Sequence, residues 1–319
     1  QKQNHAEYLS LIEAAMTYPV VLKIPDGSFS RGVFKAENRR ELEEQVAGSD
    51  GSGGSEIEQV VVTPRWQAAG LQVRHLRVTP PHAVRQREAA IAQCRGSLLL
   101  LLDDDVVPER GCVAALLSCL ESTGAVAVGA DFSGQPWPAP TTLWRWYLRW
   151  WHGLSRGEWQ GKVVGPLLRF GYHPVPAAAA PMQWLGSGHT LIRRDAYERA
   201  GGFSNFFLHR SSVNEDVDLT LKLGKIGAMF LCPEARMAHL HEPGGRAPVR
   251  AVAEDDLYNR YCVLRFTQHR SRAAAACLVT TFFVIETLSG VAAVVRGEGS
   301  GFGARLTGRA QALIRIATS

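Results

Sequence analysis

The stretch Leu98-Leu99-Leu100-Leu101-Leu102-Asp103-Asp104-Asp105 decides how this chain is read. Five leucines bounded by Gly96 and by three carboxylates are too few for a helix and read as a buried strand of an α/β sheet. In an open α/β sheet, ligands bind just beyond the carboxyl ends of the strands. Like charges crowded at that point repel, and a divalent cation relieves the repulsion. Side chains alternate along extended backbone, so Asp103 and Asp105 point the same way if the chain stays extended. Oxygen donors of this kind favour Mg2+ or Mn2+ over a soft metal. The plainer account is a cap, with Asp105 just ahead of Val106-Val107-Pro108. Three carboxylates directly after a wholly apolar strand weigh towards the cation.

Outward from this stretch, helical and extended patterns alternate. Leu71 to Val78 reads as a strand, Val84 to Cys94 as a helix, and Cys112 to Leu120 as the next helix. Such alternation predicts a mainly parallel central sheet flanked by helices. Residues 48–55 have linker composition and divide an N-terminal segment, 1–47, from a domain over 48–250. Residues 251–319 read as an amphipathic helical extension. Within it, Ala273 to Val295 is long enough for a membrane span. Glu286 near its centre makes a buried or interfacial helix the better reading.

A second acidic group opens another predicted helix at Glu215-Asp216-Val217-Asp218, with Val217, Leu221 and Gly224 on one side. Carboxylates suit the first turn of a helix whatever their function. A carboxylate at a cleft edge beside a metal is also placed to accept a proton from a hydroxyl nucleophile. Gly186-Ser187-Gly188 and Gly201-Gly202-Phe203 are turns that permit close backbone approach. His239 and His241 end a predicted strand two residues apart on one face, where one of them completes a metal site.

Taken in order, these pieces resemble the motifs of family 2 glycosyltransferases, over roughly residues 48–250. Ser49-Asp50-Gly51-Ser52 resembles the nucleotide-contacting turn, and Gln86-Arg87-Glu88 with Ile91 and Gly96 resembles the segment before the metal strand. Leu102 to Asp105 resembles the DxD metal motif, and Trp184 to Gly188 with Gly201-Gly202-Phe203 resembles the donor and acceptor floor. Glu215-Asp216 resembles the catalytic Glu-Asp pair, and Pro233 to His239 the closing segment. The resemblance implies a GT-A fold and a metal-dependent, inverting transfer of one sugar from a nucleotide-diphosphate donor to a hydroxyl acceptor. It implies Asp216 as the base with Glu215 beside it, and Asp103, Asp105 and His239 as ligands of Mg2+ or Mn2+. Donor contacts fall to Asp50, Arg87, Asp103, Asp104, Gly186, Ser187 and Gly188. A glycan or lipid-linked acceptor, in cell-surface glycan or glycolipid synthesis, is the implied setting.

The sequence departs from that pattern at Ser49, Gly54 and Glu88, and the family's opening strand is missing ahead of Asp50. In its place Tyr18 to Ala36 resembles the nucleotide-binding segment of an ATP-grasp ligase, with Lys23 at the phosphates and Gly27 to Gly32 as the flap. Ligase activity from this segment and a non-catalytic remnant are the two competing readings.

Trp144, Trp146, Trp150, Trp151 and Trp159 crowd one region, interleaved with Arg145 and Arg149. They are open to three readings: core packing, an acceptor platform, and an anchor at a bilayer surface. The 319 residues carry 35 basic and 30 acidic side chains, for a net charge of +5. The basic residues form no run or stripe, which argues against nucleic acid as a partner. Cys94, Cys112, Cys119, Cys232, Cys262 and Cys277 contain no C-x-x-C pair, which signals neither zinc nor a redox couple. Reduced core thiols place the protein in the cytoplasm by default, with peripheral contact at the inner face of the plasma membrane. The chain opens at Gln1 without a visible signal peptide, which reads as a fragment or a processed piece.

Overall fold

A computed structural model describes residues 20–23, 33–36, 76, 78, 82–103, 105–133, 135, 137, 139–155, 157–171, 175–209, 211–240 and 247–318. The chain divides into two compact units, residues 1–82 with 240–246, and residues 83–239 with 247–319. In the first unit, β1 (Val20–Lys23) pairs antiparallel with β2 (Val33–Ala36). Lys23 stands on the last position of β1. The flap Gly27 to Gly32, the linker 48–55, and Asp50 lie outside the described residues, as does Asp104.

The second unit carries a mixed sheet of six strands with helices around it. Its strands are β3 (Leu98–Leu102), β4 (Val106–Pro108), β5 (Ala127–Phe132), β6 (Ala180–Met182), β7 (His189–Arg193) and β8 (Met229–His239). The order is β3-β7-β5-β8-β4, with β6 also on β8. Only β5 and β8 pair in parallel; β3/β7, β7/β5, β8/β4 and β8/β6 are antiparallel. The expected mainly parallel sheet is therefore corrected to a mixed one. The physical reason is β7. Strands β3, β5 and β8 share one direction, as the alternation implied, but β7 returns the opposite way and inserts between β3 and β5.

That insertion leaves β3 at one end of the described sheet. Its leucines accordingly alternate: Leu99 and Leu101 are buried, Leu98 and Leu100 are half-buried, and Leu102 is exposed. The strand read as buried throughout is buried on one face.

Two hydrophobic layers follow from the period-two alternation of the strands. Val128 and Leu191 face α2 (Cys112–Thr123), which buries Cys112, Leu116, Cys119 and Leu120. Ala127 and Ile192 face the larger core on the other side. Burial pushes the thiols of Cys112 and Cys119 up to about 11, which makes them inert core groups, as their spacing implied. A fully buried leucine such as Leu116 contributes about 1.5–3 kcal/mol relative to exposure.

The larger core also takes in α1 (Ala83–Gln93), α3 (Thr142–His152), α4 (Arg194–Arg199) and α5 (Glu215–Leu223). Three C-terminal helices join it: α6 (Val249–Cys262), α7 (Arg272–Val295) and α8 (Phe302–Thr318). Among the described residues α7 is long and apolar enough to cross a membrane, at a mean hydropathy of 2.0. Its Glu286, however, points inward: it accepts a hydrogen bond from Trp144 Nε1 at 2.6 Å and one from Arg309 Nη2 at 2.9 Å.

Candidate active site

The end of β3 and the start of α5 meet at one cleft of about 650 Å³. Asp103 leaves β3 with its amide still bonded to the Gly188 carbonyl at 3.2 Å. The chain then turns, the Val106 amide donating to the Asp103 carbonyl, and β4 begins. This turn separates the two carboxylates that extended backbone would have aligned. Asp103 faces Arg87 of α1, whereas Asp105 Oδ2 lies 3.2 Å from His239 Nε2 at the end of β8.

Arg87 ties the two acidic groups together. Its Nη2 bonds Asp103 Oδ1, and its Nη1 donates to Glu215 Oε1 at 2.9 Å. Ser187 Oγ donates to the same Glu215 oxygen at 2.8 Å. Burial, reinforced by the adjacent Asp216 charge, pushes the Glu215 carboxyl up to about 7, against the pull of Arg87 and Ser187. The helix N-terminus supplies a favourable dipole to both carboxylates.

Asp216 lies in the same cleft with different partners. Trp184 Nε1 donates to its Oδ2 at 2.8 Å, and Arg169 Nη2 stands 3.9 Å from its Oδ1. Arg169 also lies over the Trp184 ring at 5.2 Å and donates to Asn214 Oδ1 at 2.6 Å. Asn214, the residue before α5, holds a left-handed φ of 71° that asparagine tolerates better than most residues. Its amide reaches Asp256 of α6 at 2.9 Å, so α6 fixes the turn that presents Glu215 and Asp216. Asp218, two residues further on and on the opposite side of the helix, is fully buried instead and is held by Lys222 at 2.9 Å and Ser204 Oγ at 2.7 Å. It belongs to the core of the helix and not to the cleft.

Gly186, Ser187 and Gly188 line the cleft as expected. At Gly188 the backbone passes so close to Asp103 that a Cβ would sit 2.1 Å from Asp103 Oδ2. A side chain there would displace the Asp103 carboxylate from the position it holds beside Arg87. Glu88 has a separate task. Its Oε1 accepts from Tyr197 Oη at 2.6 Å and from the Phe203 amide at 3.0 Å, which anchors the Gly201-Gly202-Phe203 turn.

The structure thus brings together Arg87, Asp103, Ser187, Glu215 and Asp216, with Asp105 and His239 as a pair. Among the described residues no group of three or more His, Cys, Asp or Glu side chains is arranged to hold a metal. Asp103, expected as a ligand with Asp105, is drawn to the guanidinium of Arg87. The Asp105 carboxylate suits Mg2+ or Mn2+, and the His239 imidazole beside it, also partly exposed, favours the softer Mn2+ of the two.

Sequence reasoning missed Arg169 and the roles of Asn214 and Asp256. Arg169 sits on an irregular segment with no local pattern. Asn214, directly ahead of the Glu-Asp pair, carried the one readable signal, since asparagine is favoured at helix starts and in left-handed turns.

No family model matches this chain, and no curated protein sequence matches it. Among solved structures the chain is similar to GalNAc-T7 with UDP, GalNAc and Mn2+, at 13% identity and a TM-score of 0.41. That match covers 69% of this chain and 39% of the other, so this chain spans well under half its length. It is similar to the mannosyltransferase PcManGT from Pyrobaculum calidifontis in complex with GDP-Man and Mn2+, at 14% identity and a TM-score of 0.41, covering 80% and 71%. It is also similar to S. aureus TarS 1-349 in complex with UDP-GlcNAc, at 10% identity and a TM-score of 0.42, covering 80% and 69%.

Proposed function

We propose that this protein is a GT-A-type glycosyltransferase of family 2 character. In this reading it moves one sugar from a nucleotide-diphosphate donor to a hydroxyl of a glycan or lipid-linked acceptor, with inversion. The observation that carries this reading is the Arg87 bridge. It gathers the strand-end carboxylate Asp103 and the helix-start pair Glu215-Asp216, remote in sequence, at one cleft.

The roles follow from charge. Asp216 is the base: it accepts the acceptor hydroxyl proton as the oxygen attacks the sugar carbon from the face opposite the leaving group. The new carbon–oxygen bond forms while the sugar–phosphate bond breaks, and its electron pair leaves on the nucleoside diphosphate. Trp184 and Arg169 fix the Asp216 carboxylate by hydrogen bond and charge, which holds its orientation towards the cleft. Arg87 and Ser187 hold Glu215 beside it. Asp105 and His239 would hold Mg2+ or Mn2+. A cation there neutralises charge on a diphosphate. Gly188 keeps the floor beside Asp103 open to substrate. Asp50 and Asp104 remain assigned to the donor by resemblance alone.

The test is diphosphate release from a panel of UDP-, GDP- and dTDP-sugars with Mn2+ present. Turnover with one donor, lost in Asp216→Asn while the melting temperature holds, supports the assignment. Turnover that survives Asp216→Asn removes the base from the mechanism, and absence of turnover with every donor favours a non-catalytic protein.

A further inference from the structure

Helix α3 presents three indoles to solvent: Trp146 is 61% exposed, Trp150 70% and Trp151 77%. A helix that buries Trp144 and Leu148 has no packing need for three more aromatic rings on its outside. The rings are ordered by stacking, Trp146 on Trp150 at 5.9 Å and Tyr147 on Trp151 at 6.3 Å. Arg145 and Arg149 stand exposed beside Trp146 and Trp150, α3 contains no acidic residue, and neither arginine forms an ion pair among the described residues.

Helix α7 lies alongside and runs the opposite way: Thr141 Oγ1 meets Ser289 Oγ at 3.1 Å, and Trp144 meets Glu286. Its inner side is Ala275, Val279 and Phe282. Its outer side exposes Val284, Leu288, Val291 and Val295, spaced so as to fall on one helical face. Glu286, the one acid of α7, is turned inward and paired with Arg309 at 2.9 Å, so the outer face is free of negative charge.

We propose that the adjoining outer faces of α3 and α7 dock on a lipid bilayer bearing anionic headgroups. Indoles and arginines together suit the headgroup boundary, where the rings bury apolar area and the guanidinia meet phosphates. The valine and leucine stripe of α7 supplies the apolar face of a helix lying in the surface. Its buried residues lie in its first half and Glu286 is held inward by Trp144 and Arg309, which suits a helix lying in the surface. A second copy suits the face less well, because the face carries arginines and offers no acidic partner for them.

The experiment is flotation of the full chain with vesicles of phosphatidylcholine alone and of equimolar phosphatidylcholine and phosphatidylglycerol. The intact protein floats with the mixed vesicles, and added salt weakens it. W146S/W150S lowers the partition coefficient at least roughly tenfold, since two indoles no longer insert. V284S/L288S lowers it as well, and R145Q/R149Q removes the preference for anionic vesicles. All of these side chains are exposed, so melting temperatures and nucleotide binding stay as in the parent. Failure to float, or flotation indifferent to both apolar pairs, overturns the proposal. So does a vesicle-free dimer in sedimentation that W146S/W150S dissociates, which would make the face a contact between copies.

Discussion

Removing Arg87 tests the bridge quantitatively. In Arg87→Met, Asp103 and Glu215 lose their shared partner, whose Nη1 stands 2.9 Å from Glu215 Oε1. Asp103 is 39% exposed and can turn to water, so its share of the loss is small. Glu215 is 13% exposed, and leaving a buried charge without its partner costs about 3–5 kcal/mol. That cost has an escape, because Glu215 already titrates near 7 and takes up a proton when its partner goes. Losing Arg87 removes a group that lowers the Glu215 value, so the variant's Glu215 titrates higher still. At about pH 6 both proteins hold Glu215 protonated, and the destabilisation is ~1 kcal/mol, the worth of ordinary hydrogen bonds. Above 7 the parent ionises and the variant does not, and each pH unit adds up to ~1.4 kcal/mol. At about pH 9 the difference therefore reaches ~3–4 kcal/mol. Urea melts at the two pH values measure it, with Glu215→Gln and the double variant closing the cycle. A pH-independent difference, or one that Glu215→Gln in the double variant leaves unchanged, refutes the coupling.

Other outcomes follow from the same geometry. Gly188→Ala places a methyl 2.1 Å from Asp103 Oδ2, which costs ~1–3 kcal/mol in a melt and weakens nucleoside-diphosphate binding by titration calorimetry. His189 is buried against Phe132, ring centres 4.2 Å apart, and burial lowers it from 6.5 to about 4. Its contribution is whole above 6.5 and is lost as pH falls through about 4. Glu215 behaves oppositely: raised from 4.5 to about 7, it stabilises fully below 4.5 and the effect is lost as pH rises through about 7. Thermal melts of Glu215→Gln should lose the second trend and keep the first.

Local features were legible in the sequence wherever a single physical signal set them. The leucine run gave β3 its limits because five apolar residues between glycine and charge have one short extended solution. Glu215 opened α5 because carboxylates suit a helix start, and Cys112 and Cys119 fell in the core at helical spacing. What depended on partners far along the chain was not legible. Nothing in His189 to Arg193 says that the strand enters between β3 and β5, so the sheet was expected mainly parallel. The divergence of Asp103 and Asp105 arises from a turn whose reason is β4 pairing with the end of β8. The sequence marked Glu286 as an awkward charge in an apolar helix. Its resolution, by Trp144 and Arg309 from two other helices, exists only in three dimensions. Arg169 lies in an irregular loop and is recognisable only by what it touches.

The central claim is a nucleotide-diphosphate site that needs a divalent cation held beside Asp105 and His239. Its most direct test is titration calorimetry of UDP, GDP and dTDP, each with and without Mn2+, on the parent, Asp105→Ala and Asp216→Asn. One diphosphate is expected to bind only with Mn2+, Asp105→Ala to lose that binding, and Asp216→Asn to keep it. No binding of any diphosphate, or binding indifferent to both Mn2+ and Asp105, would contradict it.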